Sequence, residues 1–85
     1  MSIRILIIDD DRDLCILLQE FFSLEGINVS ALHDGADALS HCRTQSYDAI
    51  VLDIMLPGLP GLDVLRQLRE FSNTPVLMLT DRGDT

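Results

Sequence analysis

The side chains most able to do chemistry in this chain are carboxylates, and they sit in segments far apart. Asp9, Asp10 and Asp11 follow the apolar run IRILII (3–8), and Asp53 closes a second run, Ile50-Val51-Leu52. A carboxylate at the tip of a core strand is a conflict inside a core but a resource at a rim. If the fold brings the two segments together, the carboxylates repel and at least one pKa rises unless a cation joins them. Hard oxygen ligands with room for water suit Mg²⁺ better than a transition metal. A further run ends in Thr80, whose hydroxyl can donate to an anion bound at the same rim.

Each of these residues also has a bland role. Asp11 reads as a helix N-cap, and Asp13 and Asp63 as first-turn acids. Asp9 or Asp10 taken alone serves equally well as a cap. Asp53 resists such an account, because Pro57 and Gly58 follow it where a helix would have to start. The segment from Gly58 to Gly61 matches no phosphate-binding glycine pattern. His33 and His41 stand apart from the acids in the pattern and read as surface residues. Cys15 and Cys42 lack metal-ligand spacing and read as buried free thiols in a reducing compartment.

The elements that must position the acids follow from periodicity. The runs 3–8, 27–32, 47–53 and 74–80 read as strands, and Pro75 near the start of the last is tolerated there. Between them, Leu14, Leu17, Leu18, Phe21 and Leu24 repeat at helical spacing, with Gly26 as a stop. Residues 34–43 predict a shorter helix. Residues 61–71 predict a third, with Leu62, Leu65 and Leu68 on one face. Strands alternating with helices imply a parallel sheet covered on both faces. Strands 1, 3 and 4 are continuously apolar and suit central positions, whereas the alternating strand 2 suits an edge. Right-handed crossovers then give the order 2-1-3-4, with a crevice between the carboxyl ends of strands 1 and 3. Asp9–Asp11 and Asp53 fall on that crevice.

Size and composition limit the rest. The 85 residues make one small domain, spanning 1–85, whose folding buries roughly 60–65% of the unfolded surface. A hydrophobic content of 47% is too high for disorder. Aromatics are 5% and Trp is absent, so Ile, Leu and Val must build the core. The net charge is −8, all six cations are Arg, and no basic cluster exists, which argues against nucleic-acid binding. No run is long enough for a signal peptide or membrane span, and the expected location is cytoplasmic.

Taken together, ILIIDDDRDL, DAIVLDIMLPGLPGLDVLRQLR and TPVLMLTDRGD resemble the receiver domain of bacterial two-component response regulators, in the style of those joined to winged-helix output domains. The resemblance runs over essentially the whole chain and implies a flavodoxin-like (CheY-like) fold. It implies that Asp53 is the phosphoacceptor for a phosphohistidine on a sensor histidine kinase. Asp10, Asp53 and the backbone carbonyl of Met55 would then bind Mg²⁺, Asp9 would act through bound water, and Thr80 would hydrogen-bond the phosphoryl group. Pro57 and Gly58 would shape a loop that leaves Asp53 exposed to the partner. A Mg²⁺-dependent phosphatase with an Asp nucleophile is disfavoured, because Met55 stands where a second acid is needed.

The chain also departs from that family. The family has five strand–helix units, and 85 residues hold three and a fourth strand, so the domain is expected to lack the last strand and the last two helices. No Lys is present to pair with a phosphoryl group, and Asp81 stands where a small residue is usual. Apolar strand faces and an open fourth-strand edge are then expected to drive association, giving a homodimer with or without exchanged elements. The competing reading is a pseudo-receiver that is not phosphorylated and acts through protein–protein association.

Overall fold

The computed structural model describes residues 2–79. Thr80 and Asp81 lie outside the described residues. Four strands, β1 (Arg4–Ile8), β2 (Asn28–Leu32), β3 (Ala49–Asp53) and β4 (Val76–Leu79), form one sheet. They alternate with three helices, α1 (Arg12–Leu24), α2 (Gly35–Thr44) and α3 (Gly61–Leu68). All pairings are parallel, and the order is β2-β1-β3-β4, as the crossover argument requires. Strand β2 is an edge as expected. Strand β4 is the other edge among the described residues rather than central, and Leu77 on it is 62% exposed.

Strand alternation divides the sheet into two faces. Leu6, Ile8, Ile50 and Leu52 are buried in one cluster with Ala38 and Leu39 of α2 and with Val64 and Leu68 of α3. Val76 and Met78 of β4 pack against the same cluster. On the other face, α1 lies mainly along β2, burying Cys15 and half-burying Leu18 and Phe22.

The helix ends are set by local chemistry. Asp11 caps α1, accepting the Leu14 N–H at 3.0 Å, so its capping role is as expected. Asp13 and Asp63 are first-turn acids as expected. Asp34 caps α2 by accepting the N–H groups of Ala36 and Asp37. At the end of α1, Gly26 takes φ +78°. Its N–H reaches Ser23 O, and Ile27 N–H reaches Phe22 O, both at 3.0 Å. These two bonds form a Schellman closure that needs the left-handed glycine.

Two helical stripes differ from expectation. Within the stripe predicted for α1, Leu17, Phe21 and Leu24 are 61%, 56% and 85% exposed. The helix is apolar on most of its circumference, so its spacing admits two stripes, and the sheet takes the one containing Cys15, Leu18 and Phe22. In α3 the sheet-facing set is Gly61, Val64 and Leu68, while Leu62 is 56% exposed. That helix is also shorter than the 61–71 expected, ending at Leu68, after which the Arg69 guanidinium donates to Ser72 O and Thr74 O.

Leu52 has no exposed surface and lies beside the site-bearing end of β3. Replacing it with Ala is expected to cost about 2–5 kcal/mol through lost burial and a residual cavity. Urea unfolding followed by circular dichroism measures this, and a loss below about 1 kcal/mol would contradict the packing described.

Candidate functional site: an acidic rim at the carboxyl ends of β1 and β3

Register builds the site. Ile8 pairs with Leu32 on one side and with Leu52 on the other. The next residues along, Asp9, His33 and Asp53, therefore stand abreast at the carboxyl edge of the sheet. Strand β3 meets β4 at Asp53↔Leu79, and Ile54 N–H donates to Leu79 O at 3.0 Å.

Asp9, Asp10 and Asp53 each offer an oxygen, and these oxygens lie within 4.8 Å of one another. Asp10 is exposed, whereas Asp9 and Asp53 are only 6% and 7% exposed. The burial of Asp53 corrects the expectation that the Pro-Gly turn leaves it uncovered. Its backbone is roofed by the start of α3, where Gly61 N–H donates to Ile54 O at 3.0 Å. A Cβ on Gly61 would collide with the Asp53 carbonyl oxygen and lie 2.8 Å from Ile54 Cα. Glycine at 61 is thus required by close approach, and Gly58, at φ +77°, by backbone conformation. Leu56 is buried in the α2–α3 cluster and pins the same loop. Met55, Pro57 and Gly58 remain exposed.

Backbone donors hold the acids in place. Asp11 N–H donates to Asp9 Oδ1 at 2.9 Å, and Met55 N–H donates to Asp53 Oδ1 at 3.1 Å. Met55 thus stands beside Asp53 through its backbone. Burial raises the Asp9 pKa above the ordinary carboxylate value, and the neighbouring Asp53, Asp10 and Asp11 push it further up. The Asp11 N–H bond works in the opposite direction but is outweighed.

The donor set fits a hard divalent cation. It is all oxygen, it converges from two strands, and its self-repulsion is relieved by positive charge. One oxygen of Asp9 and one of Asp53 are held by N–H groups, and each carboxylate has a second oxygen for a ligand.

The histidines correct the sequence reading. His33 is half-buried, with Nδ1 2.9 Å from the Asp9 carbonyl oxygen. The strand register would have signalled this position, since residue 33 follows Leu32 as Asp9 follows Ile8. His41 is also half-buried and stacks on Tyr47 with ring centroids 6.0 Å apart. Cys15 and Cys42 are free thiols, buried and half-buried respectively, and burial raises both pKa values. A cleft of about 340 Å³ opens at the opposite end of the sheet, lined by Arg43, Tyr47 and Phe71 among others and by no carboxylate. The acidic rim is separate from that cleft and is marked by its chemistry.

Comparison with known proteins matches residues 5–85 to the response regulator receiver domain model. The chain belongs to that family. It is 48% identical over 80 residues to the transcriptional regulatory protein CpxR of Klebsiella pneumoniae, a match covering 94% of this chain and 34% of that one. The response regulator MprA of Mycobacterium bovis is 46% identical over 83 residues, covering 96% and 36%. The chain thus spans about a third of the length of these curated relatives. Among solved structures, the receiver domain of the Francisella response regulator 1452 superposes with a TM-score of 0.87 at 36% identity, covering 96% of this chain and 69% of that one. A structure of histidine kinase ThkA in complex with response regulator protein TrrA matches at 32% identity and TM-score 0.84, covering 93% of this chain and 69% of that one. The fold is the CheY-like receiver fold.

The raised Asp9 pKa has a defined consequence for stability. A folded-state pKa above the unfolded one means that the folded state binds the proton more tightly. Stability from this group is then greatest below the unfolded value of 3.8 and falls as pH rises through the folded pKa. In EDTA, Asp9→Asn is therefore expected to raise the thermal midpoint at pH 7, and the gain should shrink as pH falls below 4. A variant less stable than the wild type at pH 7 without metal would refute the electrostatic account.

Proposed function

We propose that this receiver domain accepts a phosphoryl group on Asp53 from the phosphohistidine of a sensor histidine kinase. The convergence of Asp9, Asp10 and Asp53 at the sheet's switch point is the observation that carries this reading. The structure of ThkA with TrrA supports the class of partner, since a response regulator is bound to a histidine kinase there. Asp53 attacks phosphorus in line, a carboxylate O–P bond forms, and the P–N bond to the donor imidazole breaks. Met55 N–H fixes one carboxylate oxygen, and the buried backbone behind Asp53 keeps the nucleophile from swinging away.

Asp10, Asp53 and the Met55 carbonyl would hold Mg²⁺, with Asp9 acting through bound water. When bound, the ion supplies positive charge that offsets repulsion between carboxylate and phosphoryl oxygens. Thr80, by the family resemblance, would donate to the phosphoryl group. The proposed location is cytoplasmic, and among the described residues no helix is long and apolar enough to cross a membrane. CpxR is a transcriptional regulatory protein, but this segment, at net charge −8, is not itself proposed to touch nucleic acid.

A second reading, association without phosphorylation, is favoured by one observation. Leu17, Phe21 and Leu24 of α1 and Leu77 of β4 expose most of their side chains. Such apolar exposure supports an association surface, which a second copy of the chain, packed face to face or with elements exchanged, would cover.

Two measurements separate the readings. Incubation with acetyl phosphate and Mg²⁺ is expected to give a phosphoryl adduct by intact mass that is absent from Asp53→Ala. No adduct, together with no Mg²⁺-dependent spectral change, would leave the association reading standing instead. Size-exclusion chromatography with light scattering is expected to report a dimer; a compact, stable 9.5 kDa monomer would refute self-association.

A further inference from the structure

His33 is the polar side chain at the rim that the acidic site does not yet use. It occupies the link between β2 and α2, one residue before the Asp34 cap. Its Nδ1 lies 2.9 Å from the Asp9 carbonyl oxygen. A carbonyl only accepts, so Nδ1 carries the hydrogen and donates. Cys15 Sγ, from α1, lies 3.6 Å from the same oxygen and 3.9 Å from His33 Nδ1. The thiol is the weaker and more distant donor, which leaves the imidazole as the principal one.

Apart from the second carboxylate oxygen, the polar atoms of Asp9 are consequently engaged. Its N–H donates to Leu32 O at 3.0 Å, its carbonyl accepts from His33, and its carboxylate accepts from Asp11 N–H at 2.9 Å. Asp9 lies just past the last residue of β1, where ladder hydrogen bonds no longer fix the peptide plane on both sides. The carbonyl, which otherwise has only the weaker Cys15 thiol as a donor, is the one His33 holds.

We propose that His33 is a positioning residue: its Nδ1–H locks the Asp9 peptide so that the carboxylate stays turned toward Asp10 and Asp53, and the cation affinity of the cluster depends on that lock. The inference rests on reading the three acids as a cation site. Asp9 acts on the ion through bound water, so displacement of its backbone disturbs that contact, and loss of such outer partners typically weakens metal binding about 10–100-fold. The lock also ties the site to α2, because His33 and the Asp34 cap are adjacent in the chain.

Two substitutions separate positioning from packing. His33→Phe keeps a ring of similar size and removes the donor. His33→Asn loses the ring but places its amide nitrogen close to where Nδ1 stands. Mg²⁺ titration followed by NMR, and hydrogen exchange of the Asp11 amide in EDTA, would be measured on both, with thermal melts to confirm folding. His33→Phe is expected to weaken Mg²⁺ binding about tenfold and to speed Asp11 exchange in the metal-free protein. His33→Asn is expected to stay near wild type in both. Wild-type behaviour of His33→Phe, or an Asn variant as impaired as the Phe variant, would overturn the proposal. A wild-type protein that binds no Mg²⁺ would sink the cation reading, and Asp11 exchange in the two variants then decides alone whether His33 holds Asp9.

Discussion

The parallel register of β1 with both of its neighbours is the constraint on which the rest of this domain depends. Because Ile8 faces Leu32 and Leu52, the residues just beyond them form one row, and that row contains two acids and a histidine bonded to the backbone of one of them. A slip of one residue between β1 and β3 would turn either Leu6 and Ile8 or Ile50 and Leu52 out of the α2–α3 core as well as scatter the row. Core and site are therefore specified by the same alignment. The apolar alternation that stabilises the fold also sets the carboxylates beside one another at its edge.

That edge is costly to assemble. Two nearly buried carboxylates beside an exposed third repel one another in a region poor in water, and the raised proton affinity of Asp9 expresses the strain. Backbone N–H groups from Asp11 and Met55 offset part of it, but no cationic side chain does so among the polar contacts of the cluster. All six cations of the chain are Arg, and Arg4, Arg43, Arg66 and Arg69 engage groups elsewhere: a tyrosine ring, a phenylalanine ring, Asp63 and backbone carbonyls. The arrangement favours a ligand that brings positive charge over one that adds to the negative.

Much of this was legible in the sequence because it depends on patterns that only one structure satisfies. Asp53 after Ile50-Val51-Leu52 had no local capping role, and strands alternating with helices left the 2-1-3-4 order as the arrangement that puts helices on both faces. The acidic cluster followed from that order. Other features were degenerate. Helix α1 carries apolar residues around most of its circumference, so spacing alone could not choose between the stripe of Leu17, Phe21 and Leu24 and that of Cys15, Leu18 and Phe22. The burial of Asp53 depends on Gly61 closing over its carbonyl, a contact between residues that pattern rules treat as parts of one exposed turn. His33 was missed because its partner is a backbone carbonyl, which has no residue type to signal it.

The two faces of the sheet have unequal packing, and this bears on how a change at the rim can spread. Behind the acids, Leu56 is buried with Leu52 and Val64, and Gly61 holds the loop backbone against Asp53, so the floor of the site is fixed. On the β4 side, the strand is paired with β3 alone among the described residues, Val76 and Met78 pack against the core, and Leu77 projects into solvent. Charge added at Asp53 would meet a rigid wall on the α3 side and a strand with a single strand partner on the other. Packed cores respond to a local change by discrete shifts of their least constrained element rather than by uniform deformation. Here that element is β4, joined to the end of β3 by the Ile54 N–H to Leu79 O bond. A change at the carboxyl end of β3 would therefore reach β4 before it reached the α2–α3 core.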